Sequence, residues 1–86
     1  MKYIIFKNNN GDEIAVIFHH MLIHKSMADH VTHMARRDGL GDDWKPIAAG
    51  FYSHEGQCYG ESESLKLKSR GSQDEYVIKN PVTPFL

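Results

Sequence analysis

Cys58-Tyr59-Gly60-Glu61-Ser62-Glu63-Ser64-Leu65-Lys66-Leu67-Lys68-Ser69-Arg70 is the stretch that decides how this chain is organised. In a regular strand, Glu63 would share a face with Leu65 and Leu67. A strand cannot bury Leu65 beside Glu63 and keep its alternation. We therefore expect a bulge or bend within residues 60–64.

Beyond that bend, the chain is predicted to run as an extended ribbon with its leucines on one side. The other side carries a hydroxyl group and three positive charges. Phosphate groups are bound by such sets, because arginine gives bidentate contacts, lysine a point charge and hydroxyls further donors. The alternative is a solvent-facing strand that its lysines protect against edge pairing. The ribbon residues are Ser64, Lys66, Lys68 and Arg70.

Other residues could complete a ligand site around this ribbon. Aromatic rings stack on nucleobases, and arginines at a helix end add positive charge. The further candidates are Arg36 and Arg37 as cations, Tyr59, Tyr52 or Trp44 as stacking rings, Ser62 as a hydrogen-bond donor, and His24.

The N-terminal part reads as a β-hairpin. Lys2–Lys7 is rich in β-branched and aromatic residues, and Glu13–Phe18 is the returning strand. Asn10-Gly11 between them predicts a type I′ turn. Both faces of the second strand are apolar, so we expect it to be central, or covered by a helix on one face and a partner subunit on the other.

A helix is predicted next, over residues 27–37, with Ser26 as its N-cap and Gly39 as its stop. Residues 46–53 and 57–60 are predicted strands. Ser72-Gln73-Asp74-Glu75 has the form of a capping box and predicts a short helix over residues 73–79. The apolar tail, residues 82–86, is expected to dock on the sheet or on a neighbouring subunit.

These elements predict an α+β fold in one domain, residues 1–86, with the order β-β-α-β-β-(β)-α. It is a small antiparallel sheet of two hairpins, with one main helix and a short C-terminal helix. An 86-residue chain supports only a small core. Its apolar surface exceeds what that core hides, so we expect a homo-oligomer rather than a monomer with a docked tail.

Composition excludes several classes. A net charge of −1 argues against general nucleic-acid binding. No apolar run approaches the roughly 20 residues that span a bilayer, and the apolar N-terminal run is too short for a signal peptide. The single cysteine permits no internal disulfide, as is usual in a reducing compartment. We predict a cytoplasmic protein without a membrane partner.

No catalytic motif of high specificity occurs, and no cofactor is predicted. The pairs His20 and His24, and His30 and His33, have metal-ligand spacing, but no carboxylate or cysteine completes a set. We expect solvated or structural histidines and predict no metal site. Cys58 lies mid-strand and is expected to be buried and inert rather than nucleophilic.

The sequence resembles a family of small phage and prophage proteins that has no established activity. The resemblance covers most of the chain. It implies an accessory protein that counters host defence, either by binding a host protein or by sequestering a nucleotide signal. The residues that carry it are Met1-Lys2-Tyr3-Ile4-Ile5-Phe6, Val16-Ile17-Phe18, His24, Ala49-Gly50-Phe51, Cys58-Tyr59-Gly60-Glu61-Ser62-Glu63-Ser64-Leu65, Ser69-Arg70 and Asp74.

Three functions follow as hypotheses. The first is a non-enzymatic homo-oligomer that captures a phosphate-bearing nucleotide, in host cytoplasm if phage-encoded. The second is a protein–protein interaction module that inhibits a host defence protein, through its acidic side and by adding an edge strand. The third is a metal-dependent enzyme built on the histidines.

Overall fold

The predicted α+β fold is confirmed. The structure, a computed structural model, describes residues 1–81, so the predicted docking of residues 82–86 lies outside the described part. Four strands form one antiparallel sheet, and two short strands form a separate hairpin. The elements are β1 (Lys2–Lys7), β2 (Glu13–Phe18), α1 (His24–Arg37), β3 (Lys45–Tyr52), β4 (Cys58–Tyr59), β5 (Glu61–Ser62), β6 (Leu67–Lys68) and α2 (Ser72–Lys79).

The main sheet has the strand order β2-β1-β3-β4, so β1 is an inner strand and β2 an edge strand. Four successive residues of β1, numbers 3–6, are fully buried. The prediction of a central β2 is therefore wrong. The strand is apolar on both faces because a helix lies over each face, and α2 covers the face that was assigned to a partner subunit.

Alternation along β1 divides the core between the two helices. Ile4 and Phe6 face α1 in a cluster with Phe18 and Trp44. Tyr3 and Ile5 face the opposite side, where the other buried members are Ala48 and Cys58 and the contacts from α2 are Val77 and Ile78.

Helix α1 begins at His24, three residues before its predicted start. Ile23 occupies the N-cap position and gives no side-chain hydrogen bond, so the prediction of Ser26 as the cap is wrong. The hydroxyl of Ser64, from the β5–β6 turn, accepts a hydrogen bond from the Lys25 N–H at 3.1 Å instead. The predicted stop is confirmed, because Gly39 has φ +76° and the Leu40 N–H reaches the carbonyl oxygen of Ala35.

The β1–β2 hairpin is confirmed, but its turn is not type I′. That turn needs positive φ at both central residues, and Gly11 has it while Asn10 does not. The Asn8 side-chain oxygen instead accepts hydrogen bonds from the N–H groups of Asn10 and Asp12.

The predicted break lies at Gly60, where the main sheet ends. Gly60 has φ +78°, and a Cβ there would lie 2.8 Å from the Phe51 ring. The prediction of an extended ribbon beyond the break is wrong. The chain folds back as the β5–β6 hairpin, with Glu61 opposite Lys68 and Ser62 opposite Leu67.

The prediction of a capping box at the start of α2 is also wrong. Gly71 takes the N-cap position with φ +63° and no side-chain cap forms. Asp74 turns into the core instead, where it is fully buried and 2.5 Å from the Tyr3 hydroxyl. A buried carboxylate has to be paired, and Arg70 supplies both its backbone N–H and its Nε to Asp74.

Within residues 1–81, no helix is both long enough and apolar enough to cross a membrane.

Candidate functional site

A cleft of about 720 Å³ opens where α1 begins. Its floor is one end of the sheet, formed by Lys2 and Phe51. Cross-strand pairing aligns these two residues with Phe18 and Tyr59 on the neighbouring strands. Directly paired residues share a face, so these four side chains lie on the α1 side. The β5–β6 hairpin forms the opposite wall.

His24 lies in this cleft at the first turn of α1 and is 4% exposed. Its Nε2 is 3.0 Å from the carbonyl oxygen of Gly50. Because a carbonyl only accepts, Nε2 carries the proton and Nδ1 is left as an acceptor. The ring also makes edge contacts with Phe18 at 5.4 Å and Phe51 at 6.0 Å.

Burial lowers the pKa of His24, and the charge of Lys2 lowers it further against the opposing effect of the Gly50 hydrogen bond. The imidazole is therefore neutral at pH 7. Nδ1 has no partner among residues 1–81, and no fully buried side-chain nitrogen or oxygen in that range lacks one. Nδ1 thus reaches the solvent of the cleft.

The two predicted serines position the cleft wall. Ser62 is 2% exposed, and its Oγ accepts a hydrogen bond from the Leu65 N–H at 3.2 Å. Ser64 lines the cleft and, as described above, caps α1. The Ser62 hydroxyl therefore stabilises the β5–β6 turn, and the Ser64 hydroxyl joins that turn to the start of the helix.

Charge in the cleft is mainly negative. Glu61 and Glu63 line it and are exposed, and neither has an ion-pair partner among residues 1–81. Lys2 is the cation of this lining, and its Nζ donates to the carbonyl oxygen of Leu22 at 2.8 Å. The N-terminal end of the α1 dipole is a favourable place for the two carboxylates.

The predicted cations do not come together. Lys66 lies in the β5–β6 turn with φ +56°, and Lys68 lies on β6 opposite Glu61. Arg36 and Arg37 are exposed at the far end of α1, and Arg37 is 3.4 Å from Asp38. The cationic face predicted for residues 64–70 is therefore absent, since it required an extended chain.

Arg70 is engaged in a network of its own. Its guanidinium contacts Asp74 at 2.6 Å and Glu13 at 2.6 Å, and its side chain is 22% exposed. The Tyr3 hydroxyl lies between Asp74 and Ser69, at 2.5 Å and 2.7 Å. This network joins β1, β2 and α2, and its Arg70 donors are directed at protein carboxylates.

The predicted stacking rings divide between surface and core. Tyr59 is 55% exposed and packs on Phe51, with ring centroids 5.7 Å apart. Tyr52 packs on the α2 side. Trp44 is buried in the α1 cluster, and its Nε1 donates to the Leu40 carbonyl at 3.0 Å, so it does not offer a face to a ligand.

The other reactive residue types give no site in the described chain. Within residues 1–81, no group of three or more His, Cys, Asp or Glu side chains could hold a metal ion. The Cys58 thiol is buried, and burial raises its pKa to about 11. It is protonated at neutral pH and therefore lacks the thiolate that a nucleophile needs.

The loop between β2 and α1 lies outside every strand and helix that the sequence predicts, yet it holds three successive exposed apolar residues. Met21, Leu22 and Ile23 are 76%, 47% and 58% exposed, and Ile23 borders the cleft. We call these three residues the apolar loop. The sequence feature that could have revealed this loop is the succession of three apolar residues just before a helix. A search for helical or strand periodicity does not detect such a run.

Comparison with protein-family models, with curated proteins and with solved structures finds no match to this chain. The resemblance to phage proteins therefore stays a prediction.

Proposed function

We propose that this protein is a non-enzymatic module that binds another protein through the apolar loop and the adjoining cleft. The observation that carries the proposal is the succession of three exposed apolar residues, Met21, Leu22 and Ile23, beside a recess. Such patches mark interaction sites, because water is released when a partner covers them.

The apolar loop is held in place, which lowers the entropic cost of binding. The Leu22 N–H donates to the His19 carbonyl at 3.0 Å, and the Met21 N–H donates to His19 Nδ1 at 3.1 Å. Lys2 fixes the Leu22 carbonyl from the sheet side. The loop thus presents its side chains in a defined conformation.

The cleft beside the loop favours a basic group on the partner. Glu61 and Glu63 offer two carboxylates without ion-pair partners in residues 1–81, and Phe51, on which Tyr59 packs, offers an aromatic face. An arginine or lysine side chain would pair with the first and stack on the second. The expected ligand is therefore a protein segment with apolar residues next to a basic one.

Nucleotide capture has less support. Its phosphate-binding cations are dispersed, Arg70 is paired with Glu13 and Asp74, and two carboxylates line the cleft. Calorimetry against cyclic and ADP-ribose-type nucleotides tests it directly. Saturable heats that depend on Lys66 and Lys68 would favour capture over protein binding.

The test of protein binding compares three forms of the tagged protein in pull-downs from bacterial lysate. The forms are wild type, the triple variant Met21→Ser, Leu22→Ser and Ile23→Ser, and a control with Lys66→Ser and Lys68→Ser. We expect wild type and control to retain the same protein in stoichiometric amount. The triple variant should bind the purified partner at least about tenfold more weakly, since hot-spot residues contribute 2 kcal/mol or more.

The partner isolated in this way then tests the cleft. Charge reversal by Glu61→Lys and Glu63→Lys should weaken its binding, because it would repel the expected basic group.

Retention of equal amounts by the wild type and the triple variant would exclude the apolar loop as the binding surface. The identity that the phage resemblance suggests, a host defence protein, remains a prediction.

A further inference from the structure

The outer edge of β2 offers a row of hydrogen-bonding groups. Within residues 1–81, only β1 pairs with β2. The Asn8 N–H donates to the Asp12 carbonyl at 3.1 Å, so residue 12 bonds towards β1. Successive residues of an antiparallel strand bond to alternate sides, which directs the N–H and C=O groups of Glu13, Ala15 and Ile17 outward.

The opposite side of β1 leads to the same assignment. The Tyr52 N–H donates to the Met1 carbonyl at 2.8 Å, so the odd-numbered residues of β1 bond towards β3. The even-numbered residues bond towards β2, where Lys2 and Ile4 face Phe18 and Val16. The even-numbered residues of β2 are thereby satisfied, and the odd-numbered ones face outward.

This edge has few of the features that keep edge strands from pairing. Protected edges carry charged side chains, above all lysine, or proline, a bulge or a very short strand. The charged residue of β2, Glu13, is paired with Arg70 of its own chain. Strand β2 has six residues, Glu-Ile-Ala-Val-Ile-Phe, and pairs with β1 without a register shift. Its Ile17 is 40% exposed.

Two exposed apolar residues flank the edge on the α2 side. Ile17 lies opposite Tyr3, which places it on that face near the end of β2. Tyr76 of α2 is 69% exposed and borders, with Glu13, a groove of about 480 Å³ at the start of β2. The two residues thus lie at opposite ends of one strand, on one face of the sheet.

We propose that a second copy of this chain pairs with β2 in an antiparallel, two-fold symmetric arrangement. A two-fold axis perpendicular to the sheet keeps the α2 faces of both copies on one side. Centred on Ala15, it sets Glu13 opposite Ile17 of the second copy. Each of the three facing pairs then exchanges two hydrogen bonds, and the smallest side chain of β2 lies at the axis.

The positions of Ile17 and Tyr76 are what select a second copy as the occupant. The pairing brings Ile17 of each copy to the Glu13 end of the other, where Tyr76 lies. One contact between two exposed apolar residues therefore occurs twice, as an isologous interface requires. The resulting sheet runs through both subunits and adds apolar contacts to a domain with a small core.

The experiment is sedimentation analysis of wild type and variants over a concentration series. The variant Ala15→Pro removes an N–H that points outward, so it leaves the β1 ladder intact while blocking the pairing. Ile17→Lys places a charge at the edge without changing the backbone. The control Gln57→Lys adds the same charge at an exposed residue beside β4, at the opposite edge of the sheet from β2.

We expect the wild type and Gln57→Lys to form dimers, and Ala15→Pro and Ile17→Lys to be monomers with unchanged circular dichroism. Amide exchange at Glu13, Ala15 and Ile17 should slow as the wild-type concentration rises, because dimers bury those groups. If Ala15→Pro unfolds, Ile17→Lys and the exchange data decide. A wild type that stays monomeric into the millimolar range would overturn the proposal, as would a dimer that Ile17→Lys leaves intact.

Discussion

The two faces of the sheet are held by different interactions. Within residues 1–81, seven buried apolar residues form one cluster on the α1 side, and the His24 ring is buried there too. On the α2 side, four buried residues form the cluster, and a network of Tyr3, Asp74 and Arg70 completes it. Short helices are marginal by themselves and depend on tertiary contacts. Helix α2 has eight residues against 14 in α1, and the network adds polar contacts to the packing of Val77 and Ile78.

The largest expected effect is the loss of Asp74. Asp74→Ala leaves the Tyr3 hydroxyl and the Arg70 guanidinium without their shared acceptor. We expect the free energy of unfolding to fall by about 3 kcal/mol, the low end for a broken buried pair because Arg70 keeps Glu13 and some solvent. Urea denaturation followed by circular dichroism measures this.

The control for that change is Asp29→Ala, which breaks an exposed pair with Lys25 at 2.7 Å. Exposed pairs of this spacing contribute about 0.3–0.5 kcal/mol. Equal losses in the two variants would mean that the network does not hold α2.

The next effect concerns the hydroxyl of Tyr3. Tyr3→Phe removes the donor to Asp74 and should cost about 1–2 kcal/mol at neutral pH. Burial raises the pKa of Tyr3, and Asp74 raises it further. The folded state keeps this proton where the unfolded chain loses it, so this contribution is complete below about pH 10 and is lost as pH rises above it.

Unfolding midpoints in urea from about pH 8 to about pH 11 test the sign. Tyr3→Phe should lose less stability over this range than the wild type does. Tyr76→Phe alters an exposed tyrosine and should follow the wild type. An identical alkaline slope in Tyr3→Phe would show that the phenol does not report on the network.

The same substitution at two neighbouring isoleucines compares how much apolar packing stabilises each face of the sheet. Ile4 and Ile5 are both fully buried and face α1 and α2 respectively. Each change to valine should cost about 0.5–1.5 kcal/mol in urea denaturation. A loss in Ile5→Val that exceeds the loss in Asp74→Ala would mean that apolar packing, rather than the network, fixes the α2 side.

The same contrast explains what the sequence could predict. Strand and helix order followed from periodicity and turn residues, and the break at Gly60 followed from the conflict between Glu63 and Leu65. These features depend on neighbours in the chain. The β5–β6 hairpin was missed because its turn places Lys66 at positive φ, which residue type did not indicate.

The site could not be predicted because its contacts join distant parts of the chain. Arg70 read as a free cation, but folding brings it to Glu13, 57 positions away. Ser64 was predicted to donate a hydrogen bond to a ligand. It instead caps a helix that begins at His24, 40 positions earlier in the sequence. Local capping rules selected Ser26 because they hold no information about a remote hydroxyl.

Substitution of His24 should have the smallest effect on stability at neutral pH. The stability that His24 contributes changes with pH in the opposite direction to that of Tyr3. Burial lowers the pKa of His24, so the folded state holds it neutral. Its contribution to stability is complete above the unfolded pKa of about 6.5 and is lost as pH falls below it. The α1 side should therefore weaken in acid, whereas the α2 side weakens in alkali.

His24→Gln removes this titration while keeping a side-chain donor near the Gly50 carbonyl. We expect the variant to lose less stability than the wild type between about pH 7 and about pH 5 in urea denaturation. His33→Gln changes an exposed histidine on the same helix and should retain the wild-type slope. If both variants keep that slope, proton uptake elsewhere causes the acid loss, and the two faces do not differ in the sign of their pH response.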